Sequence, residues 1–236
     1  MTKALQYILI TITLTLGLAS VSAAEKNNFQ APDFQAIKTE TLNPDSKYYY
    51  PKLIAKFHSN DTTMTLDEYR HLYYGYMFQE DYNPYRKSVY TTKVEPLYFK
   101  NIHTKEESDT ILRYAEMSLS DDPFDLRQMM FFTIALKEKK KLARAAIQQF
   151  RLNHVVAAIM SSGNGTQEHP WFVISPAHEY NLLNFMNHVA IEHQSIGETI
   201  DYLKIKKDKD NAKVPDGYYF DVANVIEIYK IKFENK

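Results

Sequence analysis

The sequence predicts an α+β protein: a helical-repeat-like N-terminal layer of antiparallel helical hairpins, followed by a small mixed α+β part with short antiparallel strands. Three observations carry this. Helix-start signatures recur between residues 65 and 125, each followed by apolar residues at helical spacing. Apolar residues keep that spacing to about residue 160. After Gly165 the pattern changes to short β-branched and aromatic runs with a period of two, which marks "SSGNGTQ" as the boundary.

Residues 1–23 read as a secretory signal, with Lys3 as the positive start, Leu5 to Leu18 as the apolar stretch and Val21, Ser22, Ala23 as the cleavage site. The stretch falls short of the roughly 20 apolar residues that span a bilayer, so no membrane span is expected after cleavage. Residues 24–46 are polar, broken by Pro32 and Pro44, and read as a leader with at most a short helix at 34–37. A helical domain is expected over residues 47–162. Pro51 opens its first helix, with Leu53, Ile54 and Phe57 on one face. Thr65 and Glu68 form a capping box for the second, whose stripe is Leu66, Tyr69, Tyr73, Tyr76 and Met77. Thr104 and Glu107 repeat the box before Ile111, Leu112 and Ala115. Asp122 before Pro123 reads as the next N-cap, and Leu142 to Met160 as a further helix closed by Gly163.

Residues 163–236 are expected to form the small α+β domain. Trp171 to Ser175 reads as a strand and Ala177 to Met186 as a helix. Val189 to Ile191, Asp201 to Ile205 and Tyr218 to Val222 read as strands, and the β-branched content of "VIEIYKIKF" tips that run to strand as well.

Composition narrows the function classes. The chain has 28 basic and 29 acidic residues, a net charge of −1, so no global field favours nucleic acid or an anionic membrane. With no cysteine it has neither a lipoprotein anchor nor disulfides, and its core alone must hold it together. Removing 23 of its 236 residues leaves 213, enough for such a core.

The segments "YYYPKL" (48–53), "DTTMTLDEYRHLYYGY" (61–76), "EDYNPY" (80–85), "HEY" (178–180) and "GYYFDV" (217–222) resemble the secreted Bacteroidota proteins grouped as domain of unknown function 4919. The resemblance covers nearly the whole mature chain. It implies a periplasmic or secreted location and supplies no activity or catalytic residue. It also implies O-glycosylation acceptors at Asp61-Thr62-Thr63 and Asp109-Thr110-Ile111; Thr62, in a turn, is the better placed.

No chemistry is legible from motifs. His178-Glu179 begins a zincin-like pattern, but Leu182 stands where the second histidine must face the metal. His169, His188 and His193 with Glu192 lack a recognised ligand spacing, and scattered surface histidines account for them as well. No serine sits in a nucleophile elbow, and "GNG" lacks the Lys-Ser/Thr of a phosphate loop. Glu80-Asp81 and Asp121-Asp122 are neighbouring carboxylates that ordinarily solvate separate faces. No catalytic residue, metal ligand or cofactor is therefore assigned. The remaining feature is the tyrosine-rich helix. Tyr69, Tyr73 and Tyr76 fit a packing seam, with Gly75 marking the close approach of another backbone. Arg70, Tyr74 and Phe78, off that seam, would form an amphipathic binding patch with Gln79, Glu80, Asp81 and Tyr82. The leading expectation is a non-enzymatic binding module for an envelope protein or a glycan. The alternative is an envelope hydrolase with a His/carboxylate site in the C-terminal half. The chain exported by its native host is expected to begin at Ala24, which intact mass or N-terminal sequencing checks; a chain retaining residues 1–23 would overturn the signal reading.

Overall fold

The computed structural model describes residues 29–100, 102–207 and 214–234. The signal segment therefore lies outside the described residues. Those residues form an α+β architecture whose helices are mostly N-terminal, followed by a small four-stranded mixed sheet.

The helical layer starts earlier than the leader reading expects. Asp33 accepts from the Ala36 N–H at 2.9 Å and opens α1 (Phe34–Leu42), which buries Ile37 and Thr41 against α3. Helix α2 (Tyr50–His58) has Pro51 in its first turn and buries Tyr50, Leu53 and Phe57. The two capping boxes form as the spacing predicts. Thr65 and Glu68 cap α3 (Leu66–Gly75), which continues as a 3-10 turn at Tyr76–Phe78. Thr104 and Glu107 cap α5 (Lys105–Asp121). Between them, residues left ambiguous by pattern form the short α4 (Thr91–Val94) and a 3-10 turn, Glu95–Leu97.

The next start signal is displaced. Asp125, not Asp122, caps α6 (Leu126–Glu138), accepting from Gln128 N–H at 3.0 Å, while Asp122 closes α5 and accepts from Phe124 N–H at 3.2 Å. Pro123 sits in the turn between them rather than inside the helix. Helix α7 (Leu142–Met160) ends at Ser161, and Gly163 instead lies where a Cβ would strike the backbone of His169 and Pro170.

The sheet has the order β1-β4-β3-β2, with β1 (Trp171–Phe172) parallel to β4 (Gly217–Asp221) and the β2 (Ala190–Ile196), β3 (Ile200–Ile205) and β4 pairs antiparallel. Helix α8 (Pro176–Phe185) crosses between β1 and β2. The C-terminal run read as a strand is helical: α9 (Ala223–Tyr229) buries Val225 and Ile228 and passes into a π-helical turn, Lys230–Glu234. Its buried residues are three apart, a helical spacing that outweighs β-branched composition.

Helix α3 organises the core. It packs against α1, α2 and α7, and Tyr69, Leu72, Tyr73 and Tyr74 are all buried, as are Tyr76 and Met77 just beyond it. Leu66, the first member of the expected stripe, is instead exposed. One continuous core joins these residues to Trp171, Ile174, Leu203 and Phe220 across residue 163. The close neighbour at Gly75 is a side chain, not a backbone: a Cβ there would lie 2.6 Å from Thr41 Cγ2. Thr41 is fully buried and its hydroxyl is tied to Ile37 O at 2.6 Å, so it has no room to swing aside. Gly75→Ala should gain about 1 kcal/mol of helix propensity and lose more to overpacking. A net destabilisation of about 1–2 kcal/mol is expected in urea denaturation; an unchanged or raised midpoint would show that α1 does not clamp α3.

Candidate functional site

The structure breaks up the patch that spacing assembled. Tyr74 is fully buried, and its hydroxyl donates to Phe172 O at 3.3 Å. Arg70 is buried, with its guanidinium hydrogen-bonded to Ser161 Oγ at 2.6 Å and Gln30 O at 2.7 Å. Tyr82 is buried and donates to Ile174 O at 2.6 Å. The exposure expected of these three residues is corrected: α3 has neighbours on both faces, which buries Arg70 and Tyr74 off the seam, and Tyr82, beyond the helix, turns inward to Ile174. Phe78 is half-buried beside Lys38, and Gln79 Nε2 turns back onto Gly75 O at 3.0 Å. Lys232 hydrogen-bonds the main-chain carbonyls of Gln79, Glu80 and Tyr82, so the chain's own C-terminal turn occupies that edge. The side chains of Glu80 and Asp81 remain exposed, as does Thr62 in the turn before α3.

Two other arrangements emerge. The first is a cleft of about 510 Å³ between α2, α5, α6 and α7. Ile54, Phe57, Leu119, Met129 and Phe132 supply apolar walls, while Asp81, Glu116, Ser120, Gln148 and Arg151 supply polar groups. Arg151 lies over the Phe57 ring, 5.3 Å from its centroid, and donates to His58 O at 2.7 Å. Two lining side chains carry buried polar atoms with no hydrogen-bond partner among the described residues, the Tyr76 hydroxyl and Arg151 Nε.

The second arrangement brings Glu179, His193 and Asp201 together, with one ligand atom from each within 4.8 Å of the others. Strand register explains the convergence. Asp201 falls in the inward series with Leu203 and Ile205, and the antiparallel pairing sets His193 opposite Leu203 and Ser195 opposite Asp201. His193 Nε2 lies 3.0 Å from Asp201 Oδ1, to which Ser195 Oγ donates at 2.8 Å. Glu192 points to the other face and pairs with Lys204 at 3.2 Å. The third member is aimed by α8. His178 turns inward, its Nδ1 2.7 Å from the Tyr73 hydroxyl, and burial pushes its imidazole down to about 4. Glu179, the next residue, is 1% exposed, and its Oε1 has no hydrogen-bond partner among the described residues. Burial, then the charge of Asp201 and a hydrogen bond with it, push the Glu179 carboxyl up to about 9. The exposed rings of Tyr85 and Tyr180 stand near enough for these carboxylates to raise their phenols, after burial and, for Tyr85, the neighbouring Tyr229.

A model of one protein family, Domain of unknown function (DUF4919), matches residues 35–231. The chain belongs to this family. No curated protein and no solved structure matches it. The DUF4919 match runs from α1 to the C-terminal turn, so it includes the cleft and all three residues of the acid–histidine cluster.

Of the C-terminal histidines and Glu192, which the sequence offers without a ligand spacing, the structure brings His193 together with Glu179 and Asp201. Asp201, an acid in a period-two series of buried residues, carried a local signal; Glu179 carried none, because its inward direction depends on how α8 docks. Likewise the DUF4919 tyrosine segment contributes core rather than surface. Tyr74→Ala should therefore cost about 3–5 kcal/mol in chemical denaturation, as large aromatic truncations in cores do. A loss below about 1 kcal/mol would return Tyr74 to the surface.

Proposed function

We propose that this DUF4919 protein is a non-enzymatic binding module of the cell envelope, exported by its N-terminal signal, and that the interhelical cleft holds an extended segment of a partner protein. The observation that carries this reading is the pairing of apolar walls with the polar groups of Asp81, Glu116, Ser120, Gln148 and Arg151 around one open cleft. Tyr76 OH and Arg151 Nε, buried without a hydrogen-bond partner among the described residues, mark incomplete packing in its wall. An apolar side chain entering between Ile54, Leu119 and Phe132 would bring its own backbone amide and carbonyl to that wall. A glycan fits less well. Tyr50, Phe57 and Tyr76 are 8%, 4% and 4% exposed, too little for an open ring face on which a sugar stacks. Thr62 is exposed, is not among the residues that line the cleft, and stays a proposed site of O-glycosylation.

A second reading, a hydrolase using the C-terminal histidine and carboxylates, draws on the convergence of Glu179, His193 and Asp201. The burial of Glu179 weighs against it, because an acid that is 1% exposed cannot reach a substrate without opening of the site.

Envelope-peptide and glycan arrays probed with the mature protein test the binding reading. Peptides with an apolar anchor are expected to bind, and Ser120→Trp, placed at an exposed rim position, should weaken them at least about tenfold while the circular dichroism stays unchanged. Equal binding by the variant would remove the cleft as the site, and binding to glycans alone would overturn the peptide assignment.

A further inference from the structure

We propose that Glu179, His193 and Asp201 form a binding site for a first-row divalent transition ion of the zinc or manganese class. The site would join helix α8 to the β2–β3 hairpin. The proposal does not depend on the cleft or on its occupant.

Two independent observations support it. The first is the geometry: one imidazole nitrogen and two carboxylate oxygens, from three different elements, lie within 4.8 Å of one another. Metal–ligand bonds of about 2.0–2.2 Å place neighbouring donors roughly 3 Å apart. His193 and Asp201 already stand at 3.0 Å, so only a modest movement of the Glu179 side chain is required to close the set. The second is the unpartnered Oε1 of Glu179, a residue 99% removed from solvent whose carboxyl meets that of Asp201. Two carboxyl groups in contact at a buried position need either a shared proton or a cation between them. A divalent ion would match the charge of both carboxylates and give that oxygen a partner.

The donor set selects the metal. An imidazole nitrogen with two carboxylates suits zinc or manganese; calcium takes six to eight oxygens, and imidazole is not among its usual ligands. Three protein ligands leave room for water or for a group from a partner. Ser195 Oγ, hydrogen-bonded to Asp201, orients the carboxylate as outer-shell donors do.

The placement gives the ion a structural role. Strand β2 is an edge strand, and residues 191–196 are all exposed, so the outer half of the hairpin has little packing of its own. An ion bridging α8, β2 and β3 would fasten it to the core through Glu179, which the buried His178–Tyr73 contact already holds in place.

Untagged mature protein, stripped with chelator, should bind one zinc or manganese ion by isothermal titration and show a raised melting temperature. Hydrogen exchange over β2 and β3 should slow on binding. Glu179→Gln and His193→Ala should each weaken binding at least about tenfold. Glu192→Gln, on the opposite face, should bind like the parent; this control separates the site from scattered surface ligands. If Glu179→Gln fails to fold, His193→Ala at an exposed position carries the comparison. No saturable binding, binding unaffected by both variants, or binding of calcium alone would overturn the proposal.

Discussion

The hydrogen bonding of the buried Tyr73, Tyr74 and Tyr82 hydroxyls is the interaction on which this structure depends. Helix α3 carries Tyr69, Tyr73 and Tyr74 into the interior, with Tyr76 and Tyr82 close behind, and a phenol buried without a hydrogen bond is costly. Three of these hydroxyls find their partners in one short segment. Tyr74 donates to Phe172 O and Tyr82 to Ile174 O, while Tyr73 accepts from Ile174 N–H at 3.3 Å and sits 2.7 Å from His178 Nδ1. The helical layer is thereby joined to the start of the sheet and to α8. A leucine at these positions would fill the volume without making the connection.

That connection accounts for two features of the C-terminal half. Strand β1 pairs over two residues only, although Trp171 to Ser175 has the composition of a longer strand. The backbone groups of Ile174 are taken by tyrosine hydroxyls, so they are not available to extend the ladder. Helix α8 then begins at a fixed position, with Ser175 Oγ donating to Pro84 O at 2.8 Å and His178 locked against Tyr73. Consecutive helical residues diverge by about 100°, so fixing His178 inward turns Glu179 toward the hairpin. The acid–histidine cluster is a consequence of the tyrosine network one layer away.

The cleft has a related origin. The α5–α6–α7 hairpins form a second, smaller core of their own around Ile111, Ala115, Phe132 and Ala135. Where this unit meets α2, the two surfaces do not fill the space between them, and a cleft of about 510 Å³ remains. Tyr76, unlike its neighbours, faces that seam and its hydroxyl has no partner among the described residues. The same residue type that secures the core elsewhere here marks a place where packing is incomplete.

What the sequence determined by itself was local. The boxes at Thr65–Glu68 and Thr104–Glu107, the proline start of α2, and the alternation of Leu203 and Ile205 were legible because their hydrogen bonds and periodicity span only a few residues. The DUF4919 membership was legible from its tyrosine-rich segments for the same reason, being written in contiguous residues. Tertiary structure decided the rest. Spacing can identify one apolar stripe, but it cannot show that a helix is covered on both faces, so Arg70 and Tyr74 were placed outside when they belong inside. Nor can composition show that the last run docks as a helix, since Val225 and Ile228 favour either state until a core is present to receive them. Glu179, His193 and Asp201 meet only through the register of a hairpin and the docking of α8, and no local pattern encodes contacts made at that separation.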